Sequence, residues 1–196
     1  EKIGGTSMSD YLSVRDNIIK SKKNNLYQRV FVVSAYGGVT DKLLEHKKSG
    51  QPGVYGLFAS SMEDESWSEK LDELSTELPR INQNLFDQGE LLQRANQFLD
   101  ERLANARQCL LDLQSLCQHG HFALKSHLGT VREMLASIGE AHSAWNTAQL
   151  LQRDGINACF VDLTGWRTDK HLPLDERIQT AFAHIDLDKQ LPIVTG

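Results

Sequence analysis

Three short segments combine glycine with residues that could bind charged groups. The first is Lys2-Ile-Gly-Gly-Thr-Ser7. Two glycines let backbone N–H groups approach phosphate oxygens, and a lysine supplies a mobile positive charge. The segment lacks the G-x-x-x-x-G-K-[ST] spacing of a Walker loop, and a Gly-Gly pair is also common in simple turns. By itself it predicts either a phosphate cradle or an ordinary turn.

The second segment is Ser34-Ala-Tyr-Gly-Gly-Val-Thr-Asp41, which follows an apolar run. Ligands of open α/β sheets gather at the carboxyl ends of the strands. The hydroxyl of Thr40 and the N–H groups of a helix start would suit a substrate carboxylate. Alternatively, Thr40 only caps the following helix. Spacing does not separate these two interpretations.

The third segment is Gly139-Glu140-Ala-His-Ser143. We expect a break between two helices here, with Glu140 either pairing with a ligand ammonium group or acting as a helix N-terminal carboxylate. His142 is expected to be packed or solvated rather than catalytic. The pair His119 and His121 has no third ligand at metal-site spacing, so no protein metal site is predicted.

Strand patterns precede or follow these segments. Short apolar runs at Arg29–Ser34, Ala158–Asp162 and Leu191–Thr195 indicate buried strands. The order of strand, glycine turn and helix is typical of a parallel α/β sheet.

Helix signals lie between the predicted strands. Ser9 is expected to cap a helix reaching about Lys23, and Thr130-Val-Arg-Glu133 to open another as a capping box. That helix should be interrupted at Gly139 and continue to Arg153, with Gly155 as its stop. A further helix is predicted from Pro173 to about Ile185.

The middle of the chain differs in character. Residues 49–66 are rich in glycine and acidic residues, which predicts a mobile loop. Residues 67–120 predict a helical insertion, with one helix over 69–78 and a long one from about Asn82 to Cys117. The long helix has an apolar stripe at spacings of three and four: Leu92, Ala95, Leu99, Leu103, Ala106, Leu110 and Leu113. This stripe indicates intramolecular core or a dimer contact, and we expect a homo-oligomer.

Composition excludes several classes of protein. A net charge of −5 argues against a nucleic-acid binder. Three cysteines without metal-ligand or disulfide spacing favour a reducing compartment. No apolar run approaches the roughly 20 residues that span a bilayer, and nothing resembles a signal peptide. We therefore expect a cytoplasmic protein with no nucleic-acid or membrane partner.

Taken together, the motifs resemble aspartate kinases of the amino-acid kinase family. The family's K-F-G-G-T-S corresponds to Lys2–Ser7, and its V-V-S-A-x-G-G-V-T-[ND]-x-L-L corresponds to Val32–Leu44. Its G-E-x-x-S-A corresponds to Gly139–Ala144, and its P-[IV]-V-T-G strand to Pro192–Gly196. Each motif alone is weak, but four in the family's order carry the resemblance, in which 49–127 matches only as a helical insertion.

The resemblance implies a three-layer αβα sandwich around a mainly parallel sheet, and an enzyme that phosphorylates the side chain of L-aspartate with ATP. Lys2 would contact the transferring phosphoryl group, Thr40 the aspartate α-carboxylate and Glu140 its α-ammonium, with Ser34 beside them. The phosphates would be lined by the remaining turn residues, which are Gly4, Gly5, Thr6, Ser7, Gly37 and Gly38. Mg²⁺ would be bound through the ATP phosphates, without a protein ligand in this chain.

The resemblance also implies a longer protein. The family's G-R-G-G-S-D segment, its adenine site and its ACT domains would follow residue 196, so we expect residues 1–196 to be an inactive amino-terminal portion of the catalytic domain. Ile3 replaces the usual Phe and Tyr36 a smaller residue. With the long helix, these departures resemble the aspartate kinases of ectoine biosynthesis. The alternatives are a related glutamate or acetylglutamate kinase, and a non-catalytic assembly module of the same fold.

Overall fold

The computed structural model describes residues 1–21, 26–60, 65–168 and 172–196. These residues form two compact units, one of Glu1–Gly37 with Glu140–Gly196 and the other of Gly38–Gly139. The end of the predicted first helix at Lys23 lies outside the described residues.

The first unit is built on a parallel sheet, as predicted. Within the described residues it has four strands in the order β1-β2-β4-β3, all parallel. Their bounds are Lys2–Ile3 for β1, Phe31–Val33 for β2, Ala158–Val161 for β3 and Leu191–Thr195 for β4. Every residue of β4 is buried, because this strand pairs on both sides.

The edge strand β1 has only two residues, and side chains help to fix it. The buried guanidinium of Arg29 donates to the carboxylate of Glu1 at 2.9 Å and to the carbonyl of Ile19 at 2.7 Å. The backbone N–H of Ser34 also donates to the carbonyl of Ile3 at 3.0 Å. Hydrogen bonds thus hold Glu1, which precedes β1, to Arg29, and Ser34, which follows β2, to Ile3 of β1.

The prediction for the helix after the first glycine turn is wrong about where the helix starts and which residue caps it. The chain instead forms α1 (Gly5–Met8), α2 (Tyr11–Ser13) and a π-helical turn over Val14–Ile19. Asp10 rather than Ser9 caps α2, because its carboxylate accepts the N–H of Ser13 at 3.0 Å. A carboxylate or hydroxyl can cap equally well, so the sequence offered two adjacent candidates.

The described part of the second unit consists mainly of helices, with one isolated antiparallel bridge between Glu45 and Pro52. Its helices are α3 (Val39–Leu43), α4 (Val54–Ser60), α5 (Ser66–Leu85) and α6 (Glu90–Cys117). A short 3₁₀ turn over Leu124–Ser126 leads to α7, which spans Leu128–Arg153. Helix α4 occupies residues where a loop was predicted: Val54 and Phe58 are fully buried one turn apart, and this burial overrides the nearby glycines. Residues 61–64 of the predicted mobile loop lie outside the described part.

Helices α5 and α6 form the expected hairpin and pack against each other. Ala95, Leu99 and Leu103 of the predicted stripe are buried within the chain. The buried amide of Asn82 donates to Asn96 at 2.9 Å and links the two helices. The break predicted near residues 78–82 is wrong, since α5 continues through Pro79 to Leu85.

Two predictions about helix α7 are wrong. It begins at Leu128, so Thr130 lies inside the helix rather than at its cap, and it passes through Gly139 without interruption. A glycine inside a helix costs about 1 kcal/mol relative to alanine, and the buried neighbours Ile138 and Ala141 offset that cost. The predicted stop is confirmed, because the helix ends at Arg153 and Gly155 has φ +81°.

The last helix of the first unit, α8, spans Leu174–Phe182 with Pro173 as its cap residue, close to the prediction. No helix in the described ranges is both long enough and apolar enough to cross a bilayer.

Candidate functional site

The candidate site in the first unit lies where its parallel strands end. β1 is followed by Gly4, β2 by Ser34 and β4 by Gly196. Because β2 pairs with both β1 and β4 in parallel, these three ends lie side by side at one edge of the sheet. This edge is where ligands of open α/β sheets bind.

The two glycine turns touch at this edge. A Cβ atom placed on Gly5 would lie 2.5 Å from the carbonyl oxygen of Ala35, closer than real side chains approach. Only glycine therefore fits at residue 5. At Gly4 nothing lies within 4 Å of such an atom, and the residue is exposed. Thr6 and Ser7 are exposed in α1, which is only four residues long, so the expected contribution of a helix dipole is small.

This contact predicts opposite outcomes for adjacent glycines. Gly5→Ala should destabilise the full-length protein by about 1–3 kcal/mol, the usual cost of forcing atoms into a filled space. Gly4→Ala is the matched control and should change stability by less than about 0.5 kcal/mol, because its φ of −77° is ordinary and its surroundings are open. Denaturant unfolding measures both. Equal losses for the two variants would contradict the contact.

Lys2 and Glu140 are near enough to interact electrostatically. Burial raises the pKa of the half-buried Glu140 carboxyl to about 7, and the positive charge of the Lys2 ammonium opposes that rise. One carboxylate oxygen of Glu140 lies 3.2 Å from the position of a Cβ on Gly196. Glu140 thus reaches over the end of β4, while Lys2 extends from β1 with an exposed side chain.

Ser143 sets the position of Glu140. Its hydroxyl lies 2.7 Å from the carbonyl oxygen of Ser34 and 3.0 Å from that of Glu140, and it shares its proton between them. Residues three apart lie on the same face of a helix. The bond to Ser34 therefore holds this part of α7, and Glu140 with it, at the end of β2.

A buried polar cluster supports the second glycine turn from within the first unit. Tyr36 and His142 are in edge-to-face contact, with ring centroids 5.3 Å apart, and Tyr36 hydrogen-bonds to Asn146. Burial lowers the pKa of His142 to about 3. This imidazole is neutral near pH 7 and fully buried, so of the two expected environments, packed or solvated, the structure shows the packed one.

Gly38 and Thr40 belong to the second unit. Gly38 has φ +79°, a left-handed conformation that favours glycine, and it is the N-cap residue of α3. Thr40 is half-buried, inside α3 rather than at its cap. The interpretation of Thr40 as a simple helix cap is therefore wrong.

The second unit also has a cavity of about 330 Å³. Its lysines are already neutralised, since Lys42 pairs with Glu77 and Lys70 with Glu73. Its lining consists of Gly38, Asp41, Lys42, His46, Gln51, Pro52 and Lys70.

Among the described residues, no group of three or more His, Cys, Asp or Glu side chains is arranged to hold a metal ion. Sequence reasoning missed two residues that build the site. Ser143 was visible as the serine three residues after Glu140. The hydroxyl of Ser9 accepts the N–H of Gly37 in the second turn at 3.2 Å, and this contact had no sequence signal.

Comparisons with known proteins agree with this architecture. The chain is similar in structure to E. coli aspartokinase III. For the crystal structure of its complex with aspartate and ADP (R-state) the TM-score is 0.57 and the sequence identity is 18%. For the complex with lysine and aspartate (T-state) the TM-score is 0.52 and the sequence identity is 21%. The matches cover 98% and 97% of this chain and 39% of each of those chains. At these identities they show a shared fold, which is the αβα architecture predicted above.

A curated relative is more similar in sequence. The aspartate kinase Ask_Ect of Stutzerimonas stutzeri (strain A1501) is 48% identical over 198 residues, covering 100% of this chain and 42% of that protein. The chain thus spans less than half the length of this relative. The family model described as "Amino acid kinase family" matches residues 1–196. Since that match extends over every residue, the chain belongs to the amino acid kinase family.

Proposed function

We propose that this chain is part of an aspartate kinase, which transfers the terminal phosphoryl group of ATP to the side-chain carboxylate of L-aspartate. The observation that carries the proposal is the contact of the two glycine turns at the carboxyl ends of the strands, with Lys2 and the half-buried Glu140 near enough to interact electrostatically. The 48% identity to an aspartate kinase supports the choice of substrate.

The first turn and Lys2 would hold the ATP phosphates. The open space at Gly4 lets phosphate oxygens approach the backbone, and the exposed hydroxyls of Thr6 and Ser7 can donate to them. Lys2 would bond to oxygens of the transferring phosphoryl group, whose charge shifts in the transition state. We propose that Gly5 and Gly37 complete the lining of this path, and the family motif alone assigns Gly38 to the same role.

Glu140 would bind the α-ammonium of aspartate. A carboxylate held at the end of β4 is a suitable partner for a free amino group, and ligand binding would restore the charge that burial disfavours. We assign Thr40 to the aspartate α-carboxylate and Ser34 to the wall beside it. These two assignments rest on the family motif.

The reaction needs no general base in this chain. The side-chain carboxyl of aspartate is ionised near neutral pH. One of its oxygens would form a bond to the γ-phosphorus while the bond from that phosphorus to the β–γ bridging oxygen breaks, giving 4-phosphoaspartate and ADP. Catalysis would then rest on positioning and charge neutralisation. Mg²⁺ carried by the ATP phosphates would supply further neutralisation there.

The remainder of the protein would complete the enzyme. We propose that the adenine contacts and the ACT domains lie in the rest of the full-length protein, and that residues 1–196 alone are inactive. Membership of the ectoine-type subgroup is supported by the identity to Ask_Ect. The cytoplasmic location, the homo-oligomer and the insertion bounds 67–120 stay predictions.

A substrate panel tests the function. The full-length protein with Mg-ATP should form a hydroxylamine-trappable acyl phosphate from L-aspartate, and much less from L-glutamate or N-acetyl-L-glutamate. N-acetylglutamate lacks the ammonium that Glu140 would bind. A preference for L-glutamate or N-acetyl-L-glutamate would show that the proposed substrate is wrong. Inactivity towards all three compounds would favour a non-catalytic module.

A further inference from the structure

We propose that Ser9 is a positioning residue that sets the spacing of the two glycine turns and so tunes ATP binding. This inference rests on the proposed function and assigns a role to a residue outside the motifs that carry the family resemblance. Ser9 follows α1 directly and has ordinary helical torsions, with φ −73° and ψ −9°.

The hydroxyl of Ser9 bridges the turns. It accepts the backbone N–H of Gly37 at 3.2 Å and donates to the carbonyl of Gly5 at 3.4 Å. Helix capping does not use this hydroxyl, because the carboxylate of Asp10 caps α2. Its polar contacts therefore lie on one residue of each turn.

The hydrogen bonds of Ser9 act where the two turns are already in contact. The Ala35 carbonyl lies 2.5 Å from a would-be Cβ on Gly5, so the turns already touch on that side. On the other side, a Cβ on Gly37 would meet Ser9 Oγ at 3.3 Å. One contact limits how closely the turns approach, and the hydrogen bonds of Ser9 limit how far they separate.

The bridge also changes the role of Gly37. Because its N–H is bonded to Ser9, Gly37 does not offer that N–H as a donor to the phosphate path. Loss of the Ser9 hydroxyl would free that N–H and allow the second turn to move away from the first. Phosphates would then meet a less ordered pair of turns.

Steady-state kinetics of the full-length protein test the inference. Ser9→Ala should raise KM for ATP by about 2- to 10-fold, the range for losing one neutral hydrogen bond, with kcat changed less than twofold. Ser9→Thr keeps a hydroxyl and should restore KM. Ser13→Ala is the matched control: it removes a hydroxyl that contacts Asn17 and neither turn, so KM should stay at the wild-type value.

Amide exchange supplies a readout that does not depend on turnover. In full-length protein labelled with ¹⁵N-glycine, exchange at Gly37 should be faster in Ser9→Ala and unchanged in Ser13→Ala. An unchanged Gly37 rate, or an unchanged KM for ATP in a folded Ser9→Ala protein, would overturn the inference. If the wild-type protein makes no acyl phosphate, the proposed function fails, and the exchange rate alone decides whether Ser9 joins the turns.

Discussion

Lys2→Ala is expected to lower kcat of the full-length protein by about 100- to 1,000-fold, the usual effect of deleting one group that stabilises transition-state charge. The ammonium is exposed at the carboxyl edge of the sheet and lies near enough to oppose the pKa rise of Glu140. A large loss in kcat with a smaller change in KM would identify an interaction made mainly in the transition state. Initial rates of acyl phosphate formation give both parameters.

The control for this variant is Lys20→Ala. Lys20 is exposed at the end of the π-helical turn, so its removal changes net charge equally without touching the proposed site. Its kcat should stay within twofold of wild type. A Lys2→Ala protein that is folded and retains more than a third of wild-type kcat would remove Lys2 from the catalytic role.

Glu140→Gln is expected to raise KM for L-aspartate by about 10- to 100-fold, because a hydrogen bond between charged groups is worth about 1.5–3 kcal/mol. The effect on kcat should be smaller, since the α-ammonium is bound alike in ground and transition states. Exposed Glu133 on the same helix provides the control, and Glu133→Gln should leave KM unchanged.

The pH dependence of KM follows from the same carboxyl. Burial raises its pKa to about 7, so below pH 7 the free protein carries a proton that must leave when the ammonium binds. KM for aspartate should therefore fall as pH rises from 6 to 8 in the wild type. In Glu140→Gln this part of the dependence should be absent. Identical pH profiles would contradict the assignment.

Folding stability gives an independent check on Glu140. Its pKa is higher in the folded protein than in an unfolded chain, so the folded state binds more protons between about pH 4.5 and 7. The sign follows: this group's contribution to stability decreases as pH rises through that window and stays unfavourable above it. Glu140→Gln should therefore raise the unfolding temperature at pH 8 more than at pH 5.

The strands were predictable from sequence because short β-branched runs such as Ile193-Val194-Thr195 fit a sheet buried on both faces. The helix boundaries were less so. Gly139 was a reasonable break by intrinsic propensity, yet it lies within α7 because buried neighbours on either side outweigh its cost. Val54 and Phe58 similarly stabilise a helix in a glycine-rich stretch.

The sequence named candidate residues for the site, but it did not predict their contacts. The family resemblance assigned Lys2 and Gly5 to the phosphates and Glu140 to the aspartate ammonium, and all three lie in the first unit. Spacing does not encode the 2.5 Å approach at Gly5 or the hydroxyl bridge from Ser9. Both arise from strand pairing between segments about 30 residues apart in sequence.

The proposed function depends on Lys2 binding the ATP phosphates and Glu140 binding L-aspartate, both at the carboxyl ends of the strands. A crystal structure of the full-length protein with L-aspartate and a Mg-bound, non-hydrolysable ATP analogue tests it most directly. We expect the Lys2 ammonium within about 3 Å of a terminal phosphate oxygen and a Glu140 carboxylate oxygen within about 3 Å of the aspartate α-ammonium. An aspartate whose ammonium is bound by another group, with Lys2 directed away from the phosphates, would contradict it.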